Sequence, residues 1–254
     1  MVIIISSAKT LAENTRLKAP LHTLPLYLKE AEILVENLRK LTVNDLGRTL
    51  GINTRLARLN AERFARWKQP FTESNAIPAV FLYKGDVYKG LNAEQYSHDD
   101  LIFAQDHLRI ISGLYGILRP LDLIQPYRLE MSTPITLEKY NDLYQYWSDK
   151  ITEALNDTLQ QNKNPVLINL ASNEYAQGVN WQKLNAKVIT PVFYELKEGE
   201  LKPVSIFLKK ARGLMASFII KNRLSDPEEI KLFAEERYSF IEQYSDDQRW
   251  VFAR

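Results

Sequence analysis

The sequence predicts a mixed α/β fold, a single domain over residues 1–254 in which helices surround a mixed sheet. Three observations carry this expectation. Short β-branched runs alternate with helix-spaced segments in the first half. A hairpin pattern appears late. No repeat, low-complexity tract or Gly/Ser linker divides the chain. With 45% hydrophobic and 25% charged residues, the composition is that of a globular protein able to bury a core without disulfide or metal staples.

The elements follow in order. Val2 to Ile5 reads as a buried strand, followed by the loop Ser6-Ser7-Ala8-Lys9-Thr10. A polar extended segment runs to about Pro25, which is placed for the first turn of a helix over Leu26 to Leu41. Thr42 is positioned to cap a helix over Val43 to Leu50, Gly51-Ile52-Asn53 breaks it, and Thr54 is expected to cap a third helix reaching Trp67. Pro78 to Tyr83 reads as a second buried strand, Asp99 to Ala104 as helix, and Leu108 to Leu114 as a strand closed by Gly113 and Gly116. Pro120 and Pro126 mark a structured loop. Asn141 to Gln161 is an amphipathic helix and Val166 to Leu170 a third core strand. Val188 to Tyr194 and Val204 to Leu208 are expected to pair as a hairpin across Lys197 to Glu200. Ala211 to Asn222 is helical, Pro227 starts a short helix, and Trp250 to Phe252 is a last strand.

The chain has no cysteine, which excludes thiolate catalysis, Cys-ligated zinc and iron–sulfur clusters. His22, His98 and His107 have no ligand spacing with carboxylates, so neither a metal site nor a cofactor is expected. No stretch approaches the roughly 20 apolar residues that span a bilayer. The expectation is a cytoplasmic protein without a membrane partner, its oligomeric state open. A formal net charge of +2 argues against a tail-like nucleic-acid binder but leaves room for a local basic face.

Six segments could carry chemistry. In α/β proteins, ligands collect where strands end at the carboxyl edge of a sheet. Lys9 and Thr10 follow the first strand and could hold phosphate or carboxylate, or form a plain surface turn; the glycines of a P-loop are absent. Lys84, Asp86 and Tyr88 flank Gly85, which suits either a solvated turn or a site where a cation and an anion face one ligand. In the loop from Ser112 to Arg128, two glycines and two prolines fix the backbone, while Arg119, Asp122, Tyr127 and Arg128 add polar heads. Forked guanidinium donors suit planar anions, though an Arg–Asp pair could simply cement the loop. Asn169, Ser172, Glu174 and Tyr175 end the third strand, where they could orient a ligand or cap a helical turn. Lys209, Lys210 and Arg212 open a basic run that continues to Lys221 and Arg223. Finally, Arg48, Arg55, Arg58, Arg63, Arg66 and Lys68 face a single acid, Glu62, around the Gly51 turn. Helix, Gly-containing turn, helix is the layout of a helix-hairpin-helix, whose amides and helix N-termini can hold DNA phosphates; Asn53 stands where the second turn glycine is usual, so an ordinary helical hairpin is the competing reading.

The chain resembles the bacterial YaaA family, named for peroxide stress. The resemblance rests on Ile5 to Thr10, Tyr83 to Leu91, Leu108 to Met131, Asn169 to Tyr175 and Lys209 to Met215, and the stretch from Ser112 to Met131 is highly specific. Ser7 stands where the family usually has Pro, and Asn173 where it usually has Asp. The second departure removes a charge and puts acid/base work at that position in doubt. The resemblance implies a cytoplasmic protein that limits peroxide damage and is linked to lower free iron and to DNA protection. It also implies a basic cleft and a helix-hairpin-helix-like element, here residues 43–67, that binds double-stranded DNA. It brings no catalytic mechanism.

Two functions are therefore expected in order: a sequence-independent binder of double-stranded DNA using Arg48, Arg55, Arg58, Arg63, Arg66, Lys209, Lys210 and Arg212, and an enzyme on a phosphorylated or nucleobase-like small molecule. The second makes a small anionic ligand the partner of a pocket at the strand ends. Direct iron binding has the weakest support, since no paired Glu/His helix motif is present.

Overall fold

The computed structural model describes residues 1–13, 19–137, 139–160 and 165–254. Part of the expected extended segment (residues 14–18) and Gln161, the expected end of a helix, lie outside them. The chain opens with β1 (Val2–Ser6) and β2 (Thr10–Leu11), followed by α1 (Leu28–Arg39), α2 (Val43–Leu50) and α3 (Thr54–Arg66). Then come β3 (Ile77–Pro78), α4 (Ala79–Leu82), β4 (Tyr83–Lys84), α5 (Asp86–Leu91) and α6 (His98–His107). The middle of the chain forms β5 (Leu108–Ser112), β6 (Gly116–Leu118), β7 (Leu123–Ile124), α7 (Leu143–Leu159), β8 (Val166–Asn169) and α8 (Asn173–Ala176). The last part forms β9 (Lys187–Lys197), β10 (Glu200–Lys202), α9 (Ser205–Lys221), β11 (Ser239–Phe240) and β12 (Arg249–Ala253). A turn of 3-10 helix at Pro227–Leu232 stands where Pro227 announces a helix start.

An eight-stranded mixed sheet runs in the order β11-β12-β9-β8-β1-β5-β6, with β10 added to β9. β1 lies at its centre, parallel to both β5 and β8. All five β1 residues are buried, which is why the run Val2 to Ile5 is continuously apolar rather than alternating. Because β1, β5 and β8 run in one direction, Ser6, Ser112 and Asn169 all end at the same edge.

Several local expectations differ from the structure. Pro78 to Tyr83 is not one strand but the short helix α4 between two-residue strands. A continuous apolar run does not distinguish a buried strand from a buried helical turn, and the Pro78 and Ala79 backbones pair with Leu123 and with the Asp122 carbonyl. The hairpin partner of β9 is β10, whereas Val204 to Leu208 carries the start of α9. Pro203 interrupts the return strand, which therefore ends at Lys202. Asn53, not Thr54, caps α3, its side chain accepting from the Leu56 amide at 3.0 Å. Thr42 caps α2 as expected.

α5 and α9 cross with their backbones in direct contact. A Cβ on Gly213 would overlap the Val87 carbonyl and lie 2.6 Å from the Leu91 nitrogen, and one on Gly90 would overlap the Lys210 carbonyl. This crossing presses α5, and Tyr88 with it, against the body of the protein.

Candidate functional site

The carboxyl edge of β1, β5 and β8 gathers a set of hydroxyls. Ser6 Oγ accepts from the Ser172 amide at 2.9 Å and donates to Ser172 Oγ at 3.3 Å. The Tyr88 hydroxyl donates to the Ser6 carbonyl at 3.1 Å. Tyr127 OH lies 2.6 Å from both Tyr83 OH and Ser112 Oγ, and Ser112 Oγ accepts from the Tyr115 amide. Ser7 lines the same cleft as Tyr127 and Tyr175. Burial pushes all four phenols, Tyr83, Tyr88, Tyr127 and Tyr175, above their ordinary range. They are therefore neutral hydroxyls at physiological pH, able to donate and accept.

Charges close this cluster on its open side. The Glu130 carboxylate receives Lys9 on one oxygen and Arg128 Nη2 on the other, the latter at 3.0 Å. The result is a cleft lined by Ser7, Ala8, Lys9, Tyr127, Arg128, Leu129, Glu130 and Tyr175. Arg128 Nε is buried and has no hydrogen-bond partner among the described residues. Glu174 stands behind the cleft, accepting from the Ser132 amide and hydroxyl and so tying α8 to the loop after Arg128.

The structure brings together only part of the polar set expected at the strand ends. Lys9, Tyr88, Tyr127, Arg128, Ser172 and Tyr175 meet here. Thr10 pairs in β2 with Lys84 of β4, which brings the segment around Gly85 beside Ala8. Lys84 itself turns to Glu94, and Asp86 to Lys89. Asn169 braces the turn after β8, accepting from the Ala171 amide and reaching Thr190. Arg119 and Asp122 lie elsewhere. Asp122 is buried and accepts from Arg119 and from Thr23; burial raises its pKa while Arg119 pulls it back. They line a separate concavity with Leu24, Leu26 and Arg109. Of the two arginines flanked by proline, one cements the loop and the other lines the cleft. Sequence reasoning missed Glu130, Ser7, Tyr83 and Ser112 as members. The available signal for Glu130 was its i+2 spacing from Arg128 in an extended segment, which puts both side chains on one face.

The second candidate surface is the α2–α3 pair. Gly51 sits in the left-handed region at φ 62°, the conformation that ends a helix at lowest cost in glycine. Val43, Asn44, Gly47, Arg48, Gly51, Ile52, Asn53 and Thr54 line a shallow concavity at the turn. The pair is anchored to the body. Arg39 of α1 donates to the Phe64 and Trp67 carbonyls, and Trp67 Nε1 donates to Tyr115 OH at 3.0 Å. Arg55 and Arg58 are exposed, and no ion pair involves either among the described residues. Arg48 pairs with Asp45 and Arg66 loosely with Glu62, both arginines staying largely in solvent. Arg63 is turned inward to Glu13 and Asn60. On α9, Lys209 is exposed and Lys210 is held by Glu236. Arg212 is half-buried, and burial lowers its pKa. The two basic segments thus offer fewer free charges than their composition suggests.

Among the described residues, no group of three or more His, Asp or Glu side chains is placed to hold a metal ion, and no helix is long and apolar enough to cross a membrane.

The chain matches known proteins over nearly its whole length. Residues 1–244 match the family described as peroxide stress protein YaaA. A UPF0246 protein of Ralstonia nicotianae is 48% identical over 254 residues, covering all of this chain and 99% of the relative. A UPF0246 protein of Ralstonia pickettii is 46% identical over the same span, with the same coverage. Identity at that level from end to end, together with a family match that takes in β1, the loop bearing Arg128 and the α2–α3 pair, means that the chain belongs to the YaaA family of peroxide stress proteins.

Proposed function

We propose that this peroxide-stress protein binds double-stranded DNA without sequence preference through α2 and α3, and that covering DNA limits its iron-dependent oxidative damage. One observation carries the reading: Arg55 and Arg58 project from the start of α3, beside a capped turn and its shallow concavity, with no carboxylate engaging them among the described residues. The first amides of a helix have no intrahelical acceptor and favour anions. Phosphate oxygens suit that place, and phosphate contacts fix position without reading sequence.

The test is an anisotropy titration of two unrelated duplexes over a range of salt concentrations. Replacing Arg55 and Arg58 with Ala should weaken both duplexes alike and flatten the salt slope by up to about 2. Unchanged binding would move the contact away from α3, towards Lys209 and its neighbours. A second reading, an enzyme acting on a phosphorylated or nucleobase-like small molecule, is favoured by the gathering of Lys9, Arg128 and the hydroxyls at one sheet edge.

A further inference from the structure

The cleft at the sheet edge has chemistry that a DNA-coating protein does not require. Donors reach it from three separate segments: Ser7 and Lys9 after β1, Arg128 in the loop after β7, and Tyr175 on α8. Donors on several segments surround a tetrahedral oxyanion, whereas a carboxylate is satisfied by one planar fork. Two cations, Lys9 and Arg128, share the one carboxylate that lines the cleft, while Glu174 behind it is tied to the Ser132 amide and hydroxyl. The buried Arg128 Nε remains without a partner among the described residues, and an unmade hydrogen bond of a buried charged group is costly. The enclosed room is about 10 Å³, about the space of one water. The end of a ligand enters it only where Glu130 gives up its place between Lys9 and Arg128.

We propose that the cleft between Lys9 and Arg128 is a site for the phosphoryl group of a small phosphorylated molecule, with Glu130 as a built-in counter-ion that the phosphoryl group displaces. The proposal gives the second functional reading its ligand class and requires no reaction. Glu130 then has two effects. It holds both cations in place before the ligand arrives, and it competes with the ligand for them. Ser7, which lines the cleft beside Tyr127 and Tyr175, and the freed Arg128 fork supply the remaining hydrogen bonds.

The probe is inorganic phosphate, titrated into the full chain by calorimetry, with acetate and a short duplex DNA as parallel arms. Glu130→Gln removes the competing charge a few ångströms from the ligand and should tighten phosphate by roughly tenfold. Lys9→Met should weaken it by about the same factor. Lys9 is 54% exposed, so this variant should keep the wild-type melting curve. Arg128→Lys keeps a charge but loses the fork, and should fall between wild type and Lys9→Met. The proposal is overturned if neither wild type nor Glu130→Gln binds phosphate saturably, if Glu130→Gln leaves phosphate affinity unchanged, or if acetate binds as well as phosphate. It is also overturned if Lys9→Met weakens duplex DNA as much as Arg55→Ala with Arg58→Ala does, since the cleft would then belong to a DNA surface. Phosphate binding that persists while a phosphate monoester is left unchanged would keep the site and sink the enzyme reading.

Discussion

Gly213→Ala tests the crossing of α5 and α9 with a sign that helix propensity alone gets wrong. Inside a helix, Ala is favoured over Gly by about 1 kcal/mol, so an isolated α9 would be stabilised. In the folded protein the new methyl would overlap the Val87 carbonyl and approach Leu91 N to 2.6 Å, where ordinary contacts begin near about 3.5 Å. Both obstacles are backbone atoms, which cannot swing aside as a side chain end can. Overpacking of this kind costs typically about 1–3 kcal/mol and occasionally more. Backbone-on-backbone overlap belongs at the upper end, which leaves a net loss of about 2 kcal/mol after the propensity gain. For a chain of this size that lowers Tm by roughly 4–8 °C. The displaced α5 also carries Tyr88, so the bond to the Ser6 carbonyl should lengthen and near-UV circular dichroism of the tyrosine cluster should change. The companion variant is Gly51→Ala, where nothing lies within 4 Å and only the positive φ of 62° is strained; it should cost about 1 kcal/mol and leave the near-UV spectrum unaltered. A melting temperature for Gly213→Ala at or above wild type would refute the close crossing.

Two further outcomes follow from the same geometry. Asn53→Ala removes the side chain that accepts from the Leu56 amide; denaturant unfolding should show a loss of about 1 kcal/mol, and no loss would mean that α3 finds its first acceptor elsewhere. The Glu236 carboxyl is held below its ordinary range chiefly by the Lys210 hydrogen bond, with Arg254 adding to it. A carboxyl lowered in the folded state contributes stability above its unfolded pKa and loses it as pH falls through the folded value. Glu236→Gln should therefore flatten the acid limb of a stability profile between about pH 5 and 3; an unchanged limb would mean that the pair is already screened by solvent.

The sheet was largely readable because its parallel strands are buried on both faces and so appear as apolar runs: Val2 to Ile5, Val166 to Ile168, and Leu108 to Ile111 broken only by the buried Arg109. The same blankness of pattern misled at Ala79 to Leu82, where four buried apolar residues form a helical turn. At the site, Lys9, Ser172 and Tyr175 were visible as polar residues after apolar strands whose shared direction sends them to one edge, whereas Tyr127 and Arg128 reach it on the loop after β7, outside the main sheet. Arg119 was equally conspicuous and lies elsewhere, since which arginine faces a cleft depends on tertiary partners such as Thr23 and Asp122. Arg63 shares that fate through Glu13, fifty positions away in sequence. Charge counts along a segment cannot show such pairings.

The central place of β1 has a consequence for synthesis on the ribosome. Ile3 finds its neighbours only when Leu108 and Ile168 have been made. At about 5–20 residues per second, the first strand waits on the order of ten seconds or more, apolar and unpaired on both edges. During that interval it carries the features of a segment that adds to another chain. A nascent chain of this protein should therefore draw on a holding chaperone early, and arrested chains shorter than β5 should aggregate more readily than those that include β8.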